Sequence, residues 1–265
     1  MLKNITLGQY FPGNTVVHRL DPRTKLLWLV GYIVALFLAN NAWGYLLMAL
    51  VLAGESAAAN IRPKTLFSGL KPLIFIVIFT AVLNLFYGQG EPLAEFWIFK
   101  ITEDGVRRAV FMVLRIVLLV CGAFLLTYTT SPLSLTDGLE RLLGPLKKLH
   151  VPVSELAMMM SIALRFIPTL IEETDKIMNA QRSRGASFDT GKLSERAKAL
   201  IPLLVPLFVG SFRRADELAA AMECRCYTPG GGRTRMKVLR FARRDVLALL
   251  LMAAIVACSA LLRAL

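Results

Sequence analysis

Two short stretches, NAQRSRGASF (179–188) and AMECRCYTPG (221–230), each place an arginine four residues after an alanine and just ahead of a breaker-rich loop. An arginine in the last turn of a helix is favoured by the macrodipole by about 0.3–1 kcal/mol. Its planar fork also suits bidentate binding of a carboxylate. Aligning TDKIMNAQRSRG with ADELAAAMECRC matches Asp175 with Asp216, Ala180 with Ala221 and Arg184 with Arg225. A single such arginine reads as a cap on its own helix. A repeated one points to two equivalent tips and two equivalent partners.

Other chemistries are poorly served. The closest approach to a nucleotide loop, GASFDTGKLS, spaces its glycines one residue too far apart, and Leu193 stands where a P-loop needs Ser or Thr. The chain therefore carries no ATPase site of its own and is not expected to be an enzyme. HExxH and GxSxG are absent. Glu172, Glu173 and Asp175 read as a solvated helix face. Cys224 and Cys226 form a CxC without a nearby histidine, so zinc is not expected, and no cofactor is.

The elements that would position these arginines are apolar. Of 265 residues, 56% are hydrophobic and mean hydropathy is +0.59, above the roughly 45–50% apolar fraction of soluble domains. The net charge of +13 fits the cytoplasmic loops of a membrane protein better than a nucleic-acid footprint. No cleavable signal peptide is expected, since the first apolar run follows a polar segment and lacks a small-residue cleavage site.

Residues 26–54 carry no charge, and ANNAWG (39–44) interrupts them with turn formers. Two short spans folded as a hairpin are expected, one long tilted span being the rival. Further spans cover 72–87, 109–130 and 246–262. The sequence GQGEPLAEFWIFKITEDG between the third and fourth suits an outer loop with interfacial aromatics. Arg115, about two turns inside the fourth span, snorkels, pairs with a neighbouring helix or marks a polar pathway. Arg19, Arg23 and Lys25 precede the first span, Arg62, Lys64 and Lys71 precede the third, and residues 233–244 hold six basic residues and no acid before the last. The N-terminus is thus expected in the cytoplasm and the C-terminus outside.

Between the fourth and last spans the pattern is helical but more polar. A helix from Ser154 as N-cap to Arg184, stopped by Gly185, would be about 46 Å long, with a bend at Pro168. Residues 192–204 read as a second amphipathic piece and 206–226 as a third, with Phe208, Phe212, Leu218 and Met222 on one side. ELAMMMSIALRF concentrates Met158, Met159 and Met160, an adaptable apolar surface.

Four stretches resemble a known family: GQYFPGNTVVHRLDPRTKLL, TTSPLSLTDGLERLLGPLKKL, ALRFIPTLIEET and the two arginine tips. Across nearly the whole chain the sequence is similar to the transmembrane T component of energy-coupling factor transporters, bacterial ABC importers of vitamins and metal ions, in the branch where one energising module serves several substrate binders. The resemblance implies that each tip enters a groove on one of two ABC ATPase subunits, which bind the ATP. The tips here are Ser183, Arg184 and Gly185, and Cys224, Arg225 and Cys226. Cys226 stands where the commonest motif has glycine, which argues against a left-handed backbone there.

The expected fold is an all-α membrane protein with about five transmembrane helices plus a cytoplasmic-side bundle of long amphipathic coupling helices. Residues 1–130 form a membrane domain of four spans, 131–243 the coupling-helix module and 244–265 the last span. The expected function is a non-catalytic scaffold in the bacterial cell membrane, linking two ATPases to an integral-membrane substrate-binding S subunit that meets Met158, Met159 and Met160. Alternatives are a self-sufficient permease domain, a membrane-bound enzyme, or an anchor whose basic helices bind anionic lipid. A reporter fused after Leu265 should be extracytoplasmic, and reporters at Asn60 and Gly191 cytoplasmic; a cytoplasmic signal at the C-terminus would overturn the five-span topology.

Overall fold

The computed structural model describes residues 10–86, 92–96, 99–186, 188, 193–228 and 238–264. Its helices are α1 (Pro22–Leu38), α2 (Ala42–Ala58), α3 (Pro63–Gly69), α4 (Ile74–Phe86), α5 (Glu103–Thr129), α6 (Pro132–Leu142), α7 (Val153–Ser183), α8 (Leu193–Glu223) and α9 (Arg243–Ala264). The body is helical, as expected. In the segment read as an outer loop there is one addition, an antiparallel hairpin of β1 (Pro92–Phe96) and β2 (Phe99–Thr102).

Four helical stretches are long and apolar enough to cross a bilayer: Pro63–Leu85, Glu103–Thr129, Val153–Ser183 and Arg243–Arg263. The first joins α3 to α4 through a 3-10 turn at Lys71–Leu73 and so begins nine residues before the expected span. α5 also starts early, because Glu103 and Asp104 occupy its first turn, where the positive pole favours them. α7 also qualifies by length and composition, although it is the least apolar of the four.

The uncharged run 26–54 is two helices. α1 and α2 are 17 residues each, about 25 Å at 1.5 Å per residue and shorter than a typical hydrocarbon core. The break falls at 39–41, where Ala39 and Asn41 are extended and the Asn41 amide donates to Leu262 O of α9 at 2.9 Å. α2 then returns along α1, so that Tyr32, Leu36, Tyr45 and Met48 share one core with Leu118 of α5 and Met252 of α9. Without a hydrophobic drive between helices in lipid, close packing must supply the cohesion. Gly122 permits it, since a Cβ there would lie 2.8 Å from the Tyr32 ring.

Polar groups join the helix ends. Asp21 caps α1 by accepting from Arg23 N–H at 2.9 Å. Asp245, buried in the first turn of α9, accepts from Ala242 N–H and from Asp21 N–H, both at 2.8 Å. One carboxylate thus satisfies its own helix start and ties it to the start of α1. Lys25, also buried, donates to Thr129 O (2.8 Å) and Thr130 Oγ1 (3.2 Å) at the end of α5. Arg115 settles its own alternatives: it donates to Tyr45 OH at 2.7 Å and Ala39 O at 3.4 Å, with its guanidinium 5.5 Å from the Phe37 ring centre. It pairs with neighbouring helices at the α1–α2 turn.

The chain divides into two compact units, one of Gly8–Leu142 with Val238–Leu265, the other containing Leu143–Lys237. In the second, α7 and α8 run antiparallel: Gln181 meets Pro202, Glu173 pairs with Arg214, and Tyr227 meets Met158. α8 is one helix rather than the two expected pieces. Pro202 and Pro206 lie inside it, each removing a helical hydrogen bond without any left-handed residue to end the chain direction. Ser154 is not the N-cap of α7; the helix begins at Val153, buried at 3% exposure, with Pro152 before it. Glu173 is only partly solvated, because Arg214 pairs with it across the two helices.

Replacing Asp245 with Ala leaves the Asp21 and Ala242 N–H groups unpaired, and should cost about 3 kcal/mol in thermal unfolding in detergent. Arg213→Ala breaks only an exposed i,i+4 pair with Glu217 and should cost less than about 0.5 kcal/mol.

Candidate functional site

The two arginine tips are built alike from the backbone upward. At the end of α7, Gly185 N–H donates to Arg182 O and Ala186 N–H to Gln181 O, both at 3.0 Å. At the end of α8, Cys226 N–H donates to Glu223 O at 2.8 Å and Tyr227 N–H to Met222 O at 3.0 Å. Each is a Schellman closure, in which residues past the helix satisfy its orphan carbonyls. Arg184 and Arg225 occupy the same position, one residue before the left-handed residue.

That residue is Gly185 (φ 87°) in one tip and Cys226 (φ 55°) in the other. The sequence argued against a left-handed backbone at Cys226, and the structure corrects this. Two closure hydrogen bonds and the docking of Tyr227 outweigh the roughly 1–2 kcal/mol that a Cβ costs in this region.

Because the backbone closes each helix, neither guanidinium is needed as a cap. Arg184 and Arg225 are exposed and have no hydrogen-bond or ion-pair partner among the described residues. Ser183, Cys224 and Cys226 are exposed beside them, and Ser183 Oγ turns back to Asn179 O at 3.2 Å. The antiparallel pairing puts the tips at opposite ends of the α7–α8 pair. Twenty-three residues separate the Gln181 and Met158 levels, on the order of 35 Å at 1.5 Å per residue. Nothing in the repeat itself signals this opposition.

The methionines divide. Met159 and Met160 are exposed, at 57% and 45%, whereas Met158 is half-buried and accepts from Tyr227 OH at 3.0 Å. The expected apolar side of α8 divides as well. Leu218 and Met222 line a groove of about 340 Å³ with Ile162, Phe166 and Leu170 of α7. Phe208 and Phe212 point away, and with Ile201, Val205 and Val209 they form an exposed apolar face. The sequence reading missed that face, although its three- and four-residue spacing was there to be counted.

Among the described residues, no three His, Cys, Asp or Glu side chains gather as a metal site would require. What the geometry presents is two exposed cationic helix ends on one antiparallel helix pair.

Fold and site together define a polytopic helical membrane protein that carries a long antiparallel helix pair. The CbiQ family, described as cobalt transport protein, matches residues 13–238. The energy-coupling factor transporter transmembrane protein EcfT of Ruminiclostridium cellulolyticum is 53% identical over 247 residues, covering 93% of this chain and 92% of the relative. The protein of that name from Clostridium kluyveri is 50% identical over 265 residues (99% and 98%), and that from Bacillus subtilis 48% over 259 residues (96% and 98%). The chain belongs to this family, that of the transmembrane components of energy-coupling factor transporters.

The two closures should respond with opposite signs. Gly185→Ala should weaken the α7 tip by about 1 kcal/mol, and Cys226→Gly should strengthen the α8 tip by up to about 1 kcal/mol. Hydrogen exchange at the Ala186 and Tyr227 amides reads this directly; changes of the same sign would show that backbone strain does not differ between the tips.

Proposed function

We propose that this chain is a non-catalytic scaffold in the bacterial cell membrane that joins two cytoplasmic ABC ATPases to a separate integral-membrane substrate-binding subunit. ATP is bound by the ATPases, and the choice of vitamin or metal ion lies with the substrate binder. The observation that carries the reading is the pair of exposed arginines, without a partner among the described residues, on identically closed helix ends. Opposite ends of one helix pair suit two ATPases, each taking one tip in a groove that offers a carboxylate to the guanidinium fork. Nucleotide-driven approach of the ATPases would then push both ends of a single lever. The Glu173–Arg214 pair, midway along it, resists shear between the helices.

Topology supports a cytoplasmic position for the lever. Lys25 and Asp245 bring the starts of α1 and α9 beside the end of α5, so the chain between α5 and α9 leaves and returns on one side. α7 and α8 must therefore both cross or neither cross. α8 carries Arg213, Arg214, Asp216 and Glu217 within five residues, a heavy cost in hydrocarbon. The exposed faces of Met159 and Met160 and of Phe208 and Phe212 are left to meet the substrate binder and the membrane surface.

Removing a guanidinium from such a groove strands a carboxylate, a loss of roughly 2–5 kcal/mol at comparable interfaces. Arg184→Ala or Arg225→Ala alone should weaken ATPase copurification or uncouple hydrolysis from uptake, and the double variant should abolish transport. Lysine at either position should rescue only in part, keeping the charge without the fork. A double alanine variant that assembles and transports normally would sink the proposal.

A further inference from the structure

The signature GQYFPGNTVVHRLDP does more than supply Asp21. Phe11 N–H donates to Tyr128 O at 3.0 Å, and their rings meet edge to face with centroids 5.3 Å apart. This seats the segment before α1 on the end of α5. His18 then ties the segment to itself. Phe11 O can only accept, so His18 Nε2–H donates to it (3.1 Å), which leaves Nδ1 to accept from the Thr15 hydroxyl (2.7 Å). Gly13 makes room, because a Cβ there would stand 2.8 Å from His18 Cε1. Burial lowers the His18 pKa below the ordinary histidine value, and the charge of Lys25 acts in the same direction. The imidazole is a neutral strut with both nitrogens used.

This loop forms one wall of a cavity of about 350 Å³, within the usual size range of a small-ligand site. The other wall is the α2–α3 connection, shaped by Asn60 in the left-handed region (φ 55°), with Asn60 N–H on Ala57 O and Ile61 N–H on Ser56 O, both at 3.0 Å. The chemistry of the lining is one-sided. Arg62 is its charged side chain, and no carboxylate lines it among the described residues. Asn14, Asn60 and Thr65 add neutral amide and hydroxyl donors. Arg62 has no hydrogen-bond or ion-pair partner among the described residues. A free guanidinium ringed by neutral donors and facing no acid is suited to a tetrahedral oxyanion, which accepts from the fork bidentately.

We propose that this cavity is a binding site for a phosphate group, held by Arg62 and flanked by Asn14, Asn60 and Thr65. Two sources share that chemistry: the phosphodiester headgroup of an anionic phospholipid and a free phosphate. The position favours the lipid. Both walls lie within a few residues of apolar helices, at headgroup level on the side expected to be cytoplasmic, where Arg19 adds positive potential.

The test uses the full chain purified in detergent, as wild type and as Arg62→Gln, Asn14→Leu and Lys64→Gln. Lys64 is exposed near the cavity but does not line it. Native mass spectrometry after exposure to equal amounts of phosphatidylglycerol and phosphatidylcholine measures lipid preference. Thermal unfolding with and without orthophosphate, at constant ionic strength, measures the free anion. The wild type and Lys64→Gln should retain phosphatidylglycerol about tenfold over phosphatidylcholine, with the preference lost in Arg62→Gln and Asn14→Leu. Stabilisation by orthophosphate that needs Arg62, without any lipid preference, would assign the site to free phosphate. If Lys64→Gln loses as much as Arg62→Gln, or if the wild type shows neither effect, the cavity holds no phosphate and Arg62 is general surface charge. Arg62 is exposed, so its variant should fold; should Asn14→Leu not fold, the Arg62 and Lys64 variants still decide the matter.

Discussion

A helix that ends in or near hydrocarbon leaves carbonyl groups that water cannot reach, and the way those groups are satisfied organises this protein. At the end of α5 the ammonium of Lys25 takes Thr129 O. At the end of α1 the guanidinium of Arg115 reaches Ala39 O. In each case a cation from one helix completes another, with the macrodipole acting in the same sense. The same bonds therefore satisfy polar groups and fix which helix ends are neighbours. Asp245 does the converse at the helix starts, completing the N-terminus of α9 while holding the first residues of α1. Charge-assisted hydrogen bonding and helix termination are one device in the membrane unit.

In the other unit the backbone closes its own helix ends, and that difference frees the chemistry. Schellman closures on α7 and α8 use main-chain N–H groups for the last carbonyls, so Arg184 and Arg225 need not fold inward. A cation without an internal task, on the end of a stiff helix, is available to a partner at little entropic cost to the backbone. Antiparallel packing then converts a repeated sequence into two widely separated cationic ends. Glu173 and Arg214 pair across the helices and Leu218 and Met222 share a groove with α7, so the two helices are joined along their length.

Much of this was legible in the residues. Uncharged runs marked the membrane helices, ANNAWG the break between α1 and α2, and the arginine–glycine step the end of α7. The local signals failed where tertiary contacts outvoted them. Residues 192–204 and 206–226 read as two pieces, yet α8 continues through Pro202 and Pro206 because both parts face one partner helix. Cys226 read as a poor left-handed residue, yet Tyr227 beyond it is anchored by Met158, which holds the closure from outside. Glu173 read as solvated because its partner lies 41 residues away, beyond any helical spacing. The α5 start was missed because Glu103 and Asp104 look like loop acids until the helix pole they face is known.

The two tips are thus alike in geometry but not in what sustains them. Gly185 reaches the left-handed region at no steric cost, and a Cβ there would meet nothing within 4 Å; only conformational preference fixes that position. Cys226 pays a steric cost that the Tyr227 anchor must offset, so the α8 tip depends on packing against the start of α7 while the α7 tip does not. Anything that displaces the Met158 region would loosen the tip bearing Arg225 and leave the tip bearing Arg184 intact. On the proposed reading, a substrate binder docking on Met159 and Met160, the two residues after Met158, would touch one ATPase contact more directly than the other, and the symmetry implied by the repeated arginines would be broken at the point where the two kinds of partner come closest.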